Sequence, residues 1–176
     1  MSTNLLNALL QLNEWLLFKN TQIELKIIGT FAMYLSGFES INTNDIDTVT
    51  DLEGDLFSKI NEIGLKNHLK EDWLSDDSAG LPLPEGFNER LIHDSRFSHI
   101  KILYASRVDI IQLKAAAFVD RGNDNPKDIE DLTVLNPTNQ EIICAIKFIR
   151  KTRTPEHKRF YPNFEEILNA LRKLAK

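Results

Sequence analysis

The sequence predicts an α+β fold, a small mixed β-sheet flanked by helices and followed by a helical C-terminal third. Three observations carry that expectation. Helical and strand patterns interleave along the first two-thirds of the chain: helix, strand, helix, strand, helix, then several short strands. From Asp109 onward every apolar pattern has helical spacing. The 176 residues, with 42% hydrophobic and 27% charged side chains, have an ordinary globular composition and enough length to bury a core without disulfide or metal staples.

The elements follow in order. Leu5, Leu6, Leu9, Leu12, Leu16 and Leu17 recur at spacings of three and four, which predicts an amphipathic helix from Asn4 to Lys19 with Ser2 or Thr3 as its cap. Ile23 to Ile28 reads as a strand stopped by Gly29, and Thr30 to Leu35 as a short helix stopped by Gly37. A second strand is expected within "DIDTVTD". Leu56, Ile60 and Ile63, with Asp55 in the first turn, predict the next helix. Leu69 to Leu74 is expected as a short strand before a loop rich in turn formers (Gly80, Pro82, Pro84, Gly86). "RLIHD" and "SHIKILYA" read as a hairpin around Ser95 and Arg96.

Four helices come next. One has Ile110, Leu113, Ala117 and Phe118 on one face, and the second starts near Pro126, where proline is tolerated at the first helical position. The third opens with "TNQE", a capping box from Thr138 to Glu141. The last covers "FEEILNALRKLAK" and follows the basic, loop-like segment from Lys151 to Asn163. The expected organisation is one domain: an α+β core over residues 1–136 with C-terminal helices, 137–176, packed on it.

A net charge of -5 gives no global attraction to a nucleic acid backbone, although basic residues gather between Lys147 and Arg159. The single cysteine, Cys144, excludes an intramolecular disulfide and reads as a small packing group in "EIICAIKFI". The N-terminal segment lacks a basic region and a small-residue cleavage site. No run approaches the roughly 18 apolar residues that span a bilayer. The expected setting is the cytoplasm, with no membrane partner. The four histidines have no zinc-ligand spacing, and the sequence has neither a serine elbow nor a Walker glycine loop.

The chemistry-bearing feature is Asp45-Ile46-Asp47. On a strand the two carboxylates project to one side, with Cβ atoms roughly 6–7 Å apart, while Ile46 faces a core. A hard divalent ion such as Mg²⁺ is held by one or two carboxylates plus substrate phosphates, and polarises a phosphoryl group. Gly29 lets backbone approach a phosphate, and Thr30 opens a helix whose N-terminus favours anions. The other reading is a solvated strand end, since Asn42, Thr43 and Asn44 are turn formers.

An apolar strand followed by "GTFAMYLSGFESINTNDID" resembles the signature of the nucleotidyltransferase fold. Its "T-x-D-I-D" form is similar to that of bacterial nucleotidyltransferase-like proteins, the abortive-infection toxin nucleotidyltransferases among them. A second stretch, "IIQLKAAAFVDRGNDNPKDIEDLTVL", resembles the helical segment of the same group through Lys114, Arg121, Lys127, Asp128 and Asp131. The resemblance implies metal-dependent transfer of a nucleotidyl group from a nucleoside triphosphate to an acceptor: RNA, a protein or a small molecule. It also implies a cognate partner protein in a toxin–antitoxin or phage-defence setting.

By that resemblance Asp45 and Asp47 hold Mg²⁺ or Mn²⁺, and Gly29 and Thr30 hold phosphate. Lys114, Arg121, Lys127 and Asp128 serve nucleotide binding, Lys114 and Arg121 as phosphate or acceptor contacts, while Lys127, Asp128 and Asp131 form either a helix-terminal ion network facing the cleft or a capped, solvated helix start. The turn is Gly-Thr where the group has Gly-Gly or Gly-Ser. A third catalytic carboxylate is expected at Asp72, with Glu71, Asp76 and Asp77 as neighbouring candidates. Without it the chain reads as a catalytically weakened binder on the same fold. Trp73 is expected either to stack on a base or to fill the core.

Overall fold

Alternating apolar residues and glycine stops build the first half of the chain. The computed structural model describes residues 2–38, 41–121, 126–153 and 164–174. Their contacts fall into two compact units, one of Met1–Leu81 with Phe87–Ser106, the other of Pro82–Gly86 with Arg107–Lys176.

In the first unit, helix α1 (Ser2–Lys19) buries Leu5, Ala8, Leu9, Leu12 and Leu16. Each leucine fully removed from water contributes about 1.5–3 kcal/mol. The stripe is narrower than its leucines suggest: Leu17 is exposed and Leu6 only half-buried, because they lie away from the line of the 5-9-12-16 seam. Thr3 lies inside the helix, so it is not the cap. Strand β1 (Ile23–Ile28) has the expected bounds. Helix α2 (Gly29–Leu35) follows directly, and β2 (Ile46–Thr48) is shorter than "DIDTVTD".

Helix α3 (Asp55–Lys66) runs opposite in sense to α1, since Gln11 Nε2 donates to Asn67 Oδ1 at 3.0 Å while Lys19 meets Asp55 at 3.9 Å. The strand expected at Leu69 to Leu74 is only β3 (Leu74–Ser75). The preceding residues turn back onto α3. Leu69 N–H donates to Gly64 O at 2.9 Å, and Trp73 Nε1 donates to Ile60 O at 2.8 Å. A methyl group on Gly64 would sit 2.7 Å from Trp73 Cδ1, so that glycine makes room for the indole. Trp73 is fully buried, which settles its role as core and removes it as a stacking platform.

After a short 3₁₀ turn (Asn88–Arg90), β4 (Ile92–Asp94) and β5 (Ile100–Tyr104) form the expected antiparallel hairpin. The sheet order is β3-β2-β1-β5-β4. Pairing is parallel for β1 with β5 and for β2 with β3, and antiparallel for β1 with β2, so the sheet is mixed, as predicted. Leu25, Ile27, Ile46, Leu74, Ile100 and Ile102 are buried on one face. By alternation, Glu24, Lys26, Ile28, Asp47, Ser75 and Lys101 share the other.

In the second unit, α4 (Arg107–Arg121) contacts α5 (Pro126–Leu135), α6 (Asn139–Thr152) and α7 (Phe164–Leu174). This contact on several sides explains why α4 is buried over most of its length rather than along one stripe; of the predicted face, Leu113 and Ala117 are only half-buried. Cys144 is half-buried on α6. Residues 154–163, most of the expected basic loop, lie outside the described residues.

The capping box forms as read. Thr138 N–H donates to Glu141 Oε2 at 2.8 Å, and Glu141 N–H to Thr138 Oγ1 at 3.3 Å. Glu141 also accepts from Arg107 Nε at 2.9 Å. Burial pushes the Glu141 carboxyl up, but Arg107 and the Thr138 donors together hold it below its ordinary value of 4.5. A depressed carboxyl contributes stability above its unfolded pKa and loses it as pH falls through the folded one. The stability gap between the wild type and Glu141→Gln is therefore expected to be full at neutral pH and to close as pH drops below 4.5. Urea melts across that range check it, and a gap independent of pH would contradict the assignment.

Candidate functional site

The junction of β1 and α2 positions the first half of the site. Gly29 has φ +69°, and a side chain there would place its Cβ less than 3.0 Å from Asp47 Oδ2. The Asp47 carboxylate thus lies against the Gly29 backbone, at the start of α2. Register explains it, since Asp47 pairs with Ile28 on β1 and with Ser75 on β3. Thr30, the next residue, is 3% exposed. A ligand therefore meets this turn mainly through backbone and through Asp47.

Asp45 stands one residue before β2, on the Asp47 side by alternation. Thr43 Oγ1 lies 3.0 Å from both the main-chain O and the Oδ1 of Asp45, and Thr43 is buried. That hydroxyl fixes the carboxylate from below, which accounts for the threonine two residues ahead. Asp45 Oδ2 meets Lys70 Nζ at 3.7 Å. Lys70 carries no sequence signal, because only the turn after α3 brings it to the pair.

The other acidic candidates sit elsewhere in the same unit. Glu71, Asp72, Asp76 and Asp77 line a depression of about 160 Å³ beside Phe57 and Ile60. Asp76 Oδ2 also accepts the Leu52 N–H at 2.9 Å. Neither Asp45 nor Asp47 lines that depression. Among the described residues no three His, Cys, Asp or Glu side chains group as ligands of one metal ion. The two carboxylates nonetheless fit a hard divalent ion in donor chemistry, provided substrate phosphates complete its shell.

The second motif folds into a buried ion network within the other unit. Lys114 Nζ lies 3.2 Å from Asp128 Oδ1 and 2.7 Å from Asp131 Oδ2. Arg121 Nη1 reaches Asp128 Oδ2 at 3.0 Å. The side chains of Lys114, Asp128 and Asp131 are each under a tenth exposed, whereas Arg121 is 57% exposed. Lys127, the second residue of α5, is half-buried. The structure thus brings Lys114, Arg121, Asp128 and Asp131 together, tying α4 to α5.

A glycine turn leading from a central strand, with Asp-x-Asp on the antiparallel neighbour and helices around a mixed sheet, is the architecture of a nucleotidyltransferase-like protein. A family model described as a nucleotidyltransferase of unknown function (DUF6036) matches residues 3–172, and the chain belongs to that family. Comparison with curated proteins and with solved structures returned no match. Among the described residues no helix is long and apolar enough to cross a membrane.

Proposed function

We propose that the chain transfers a nucleotidyl group from a nucleoside triphosphate to an acceptor, with Asp45 and Asp47 holding Mg²⁺ or Mn²⁺. The observation that carries this reading is the Asp47 carboxylate lodged against Gly29, which ties the carboxylate pair to the glycine turn. The metal, when bound, would neutralise phosphate charge and polarise the reacting phosphorus. Thr43 orients Asp45, and the turn at Gly29 and Thr30 offers backbone to the phosphates. By the resemblance, Lys114, Arg121, Lys127 and Asp128 of the second unit also serve nucleotide binding, and there Asp128 pairs with both Lys114 and Arg121. The acceptor is RNA, a protein or a small molecule. A cognate partner in a toxin–antitoxin or defence module follows from the resemblance.

Thermal unfolding tests this. With each nucleoside triphosphate and Mg²⁺ the melting temperature is expected to rise by mass action, and the rise is expected to vanish in Asp45→Asn/Asp47→Asn. No shift at millimolar ligand would refute the nucleotide site.

A second reading has its own observation: no third carboxylate joins the pair among the described residues. It makes the protein a nucleotide binder with weakened catalysis. Release of pyrophosphate in the presence of candidate acceptors separates the two readings, since a binder shows the thermal shift without turnover.

A further inference from the structure

A metal-bound triphosphate brings more negative charge than one divalent ion removes, and two carboxylates add to it. Cations must stand beside the pair. Lys114 is ill suited to that work, because its ammonium is buried between Asp128 and Asp131.

The first unit supplies two lysines outside either motif. Lys70 Nζ lies 3.7 Å from Asp45 Oδ2, with 57% of its side chain exposed. It acts as a counterion to Asp45 that an arriving divalent ion would displace. Lys26 shares the sheet face of Asp47. It precedes by two residues Ile28, the register partner of Asp47. That makes it a diagonal cross-strand neighbour at about 7–8 Å, within the sweep of its four-carbon arm. Its ammonium rests 3.0 Å from Asn88 Oδ1 and 3.9 Å from Glu24 Oε1. A neutral amide and a long ion pair hold a lysine weakly, and a phosphate oxygen competes well with both.

Building on the nucleotide reading, we propose that Lys26 and Lys70 are substrate contacts, gripping the phosphate oxygens of a metal-bound triphosphate on either side of the carboxylate pair. Lys70 serves Asp45 at rest and the phosphate when metal is bound. Lys26 leaves Asn88 to meet the ligand from the β1 side.

The test uses calorimetric titration of the full chain with Mn²⁺ alone and with each ribonucleoside triphosphate plus Mg²⁺. Removing a positive charge beside a carboxylate favours the metal and disfavours the triphosphate, so the two titrations should move in opposite directions. Lys70→Gln is expected to bind Mn²⁺ several-fold more tightly and triphosphate about tenfold more weakly, the value of one charge-assisted hydrogen bond. Lys26→Gln is expected to weaken triphosphate about tenfold, and the double variant to lose most binding. Lys→Arg at either position should keep it. If the double glutamine variant binds triphosphate as the wild type does, or both ligands weaken together, the assignment is overturned. If the wild type itself binds no triphosphate, the nucleotide site fails and this proposal falls with it. Binding that is lost in Asp45→Asn/Asp47→Asn but kept in the lysine variants overturns the lysine assignment alone.

Discussion

Replacing Lys114 by alanine is expected to lower the unfolding free energy by about 3–5 kcal/mol, the usual loss when one partner is removed from a buried ion pair. The reason is local. Lys114 is 7% exposed and lies between Asp128 and Asp131, themselves 1% and 6% exposed. Without the ammonium, Arg121 still meets Asp128, but Asp131 loses its 2.7 Å ion pair with Lys114 in a buried setting. Against a total stability of about 5–15 kcal/mol, such a loss threatens the fold. Removing Lys114 and Asp131 together, as Lys114→Met/Asp131→Leu, leaves the Arg121–Asp128 pair intact and should recover most of the stability. Denaturant midpoints of the two variants decide the matter. A loss under about 1 kcal/mol in Lys114→Ala would equate the network with an exposed pair and contradict its buried role. Any activity change in a Lys114 variant has to be read against this stability cost before it is assigned to phosphate binding.

The network also shows what the sequence made legible. The resemblance marked Lys114, Arg121, Lys127, Asp128 and Asp131 as one motif and expected an ion network of Lys127, Asp128 and Asp131; the structure instead draws Lys114 and Arg121 onto Asp128, with Lys114 also on Asp131. The motif could not announce that they face inward, because α4 and α5 each look amphipathic on their own and their packing against each other is a tertiary event. The strands were legible where apolar alternation was strong, as in β1 and the β4–β5 hairpin. Leu69 to Leu74 misled, because Trp73 turns under Gly64, a tertiary demand with no local signature. At the site, Asp45, Asp47 and Gly29 were visible as a motif. Lys26 and Lys70 were not, since strand register and the turn after α3 place them, and neither is written in the local sequence.

Gly29→Ala is expected to remove the Mg²⁺-dependent response to triphosphate as completely as Asp47→Asn does. Two effects combine at this position. A φ of +69° costs an L-residue about 1–2 kcal/mol. The added Cβ would also meet the Asp47 carboxylate, with Oδ2 inside 3.0 Å and Cγ at 3.4 Å. Asp47 cannot retreat with its backbone, because β2 is paired on both sides, to β1 and to β3. Its side chain must therefore swing to another rotamer and leave Asp45 without its companion. Gly80 gives the control: its φ is +81° and nothing lies within 4 Å of an added Cβ. Gly80→Ala should show the backbone strain alone, a comparable drop in melting temperature with the nucleotide response kept. Measuring both variants by thermal unfolding, with and without ligand, separates strain from displacement. If Gly29→Ala keeps the full response, the position of Asp47 against the turn is irrelevant to nucleotide binding, and the observation on which the proposed function rests loses its force.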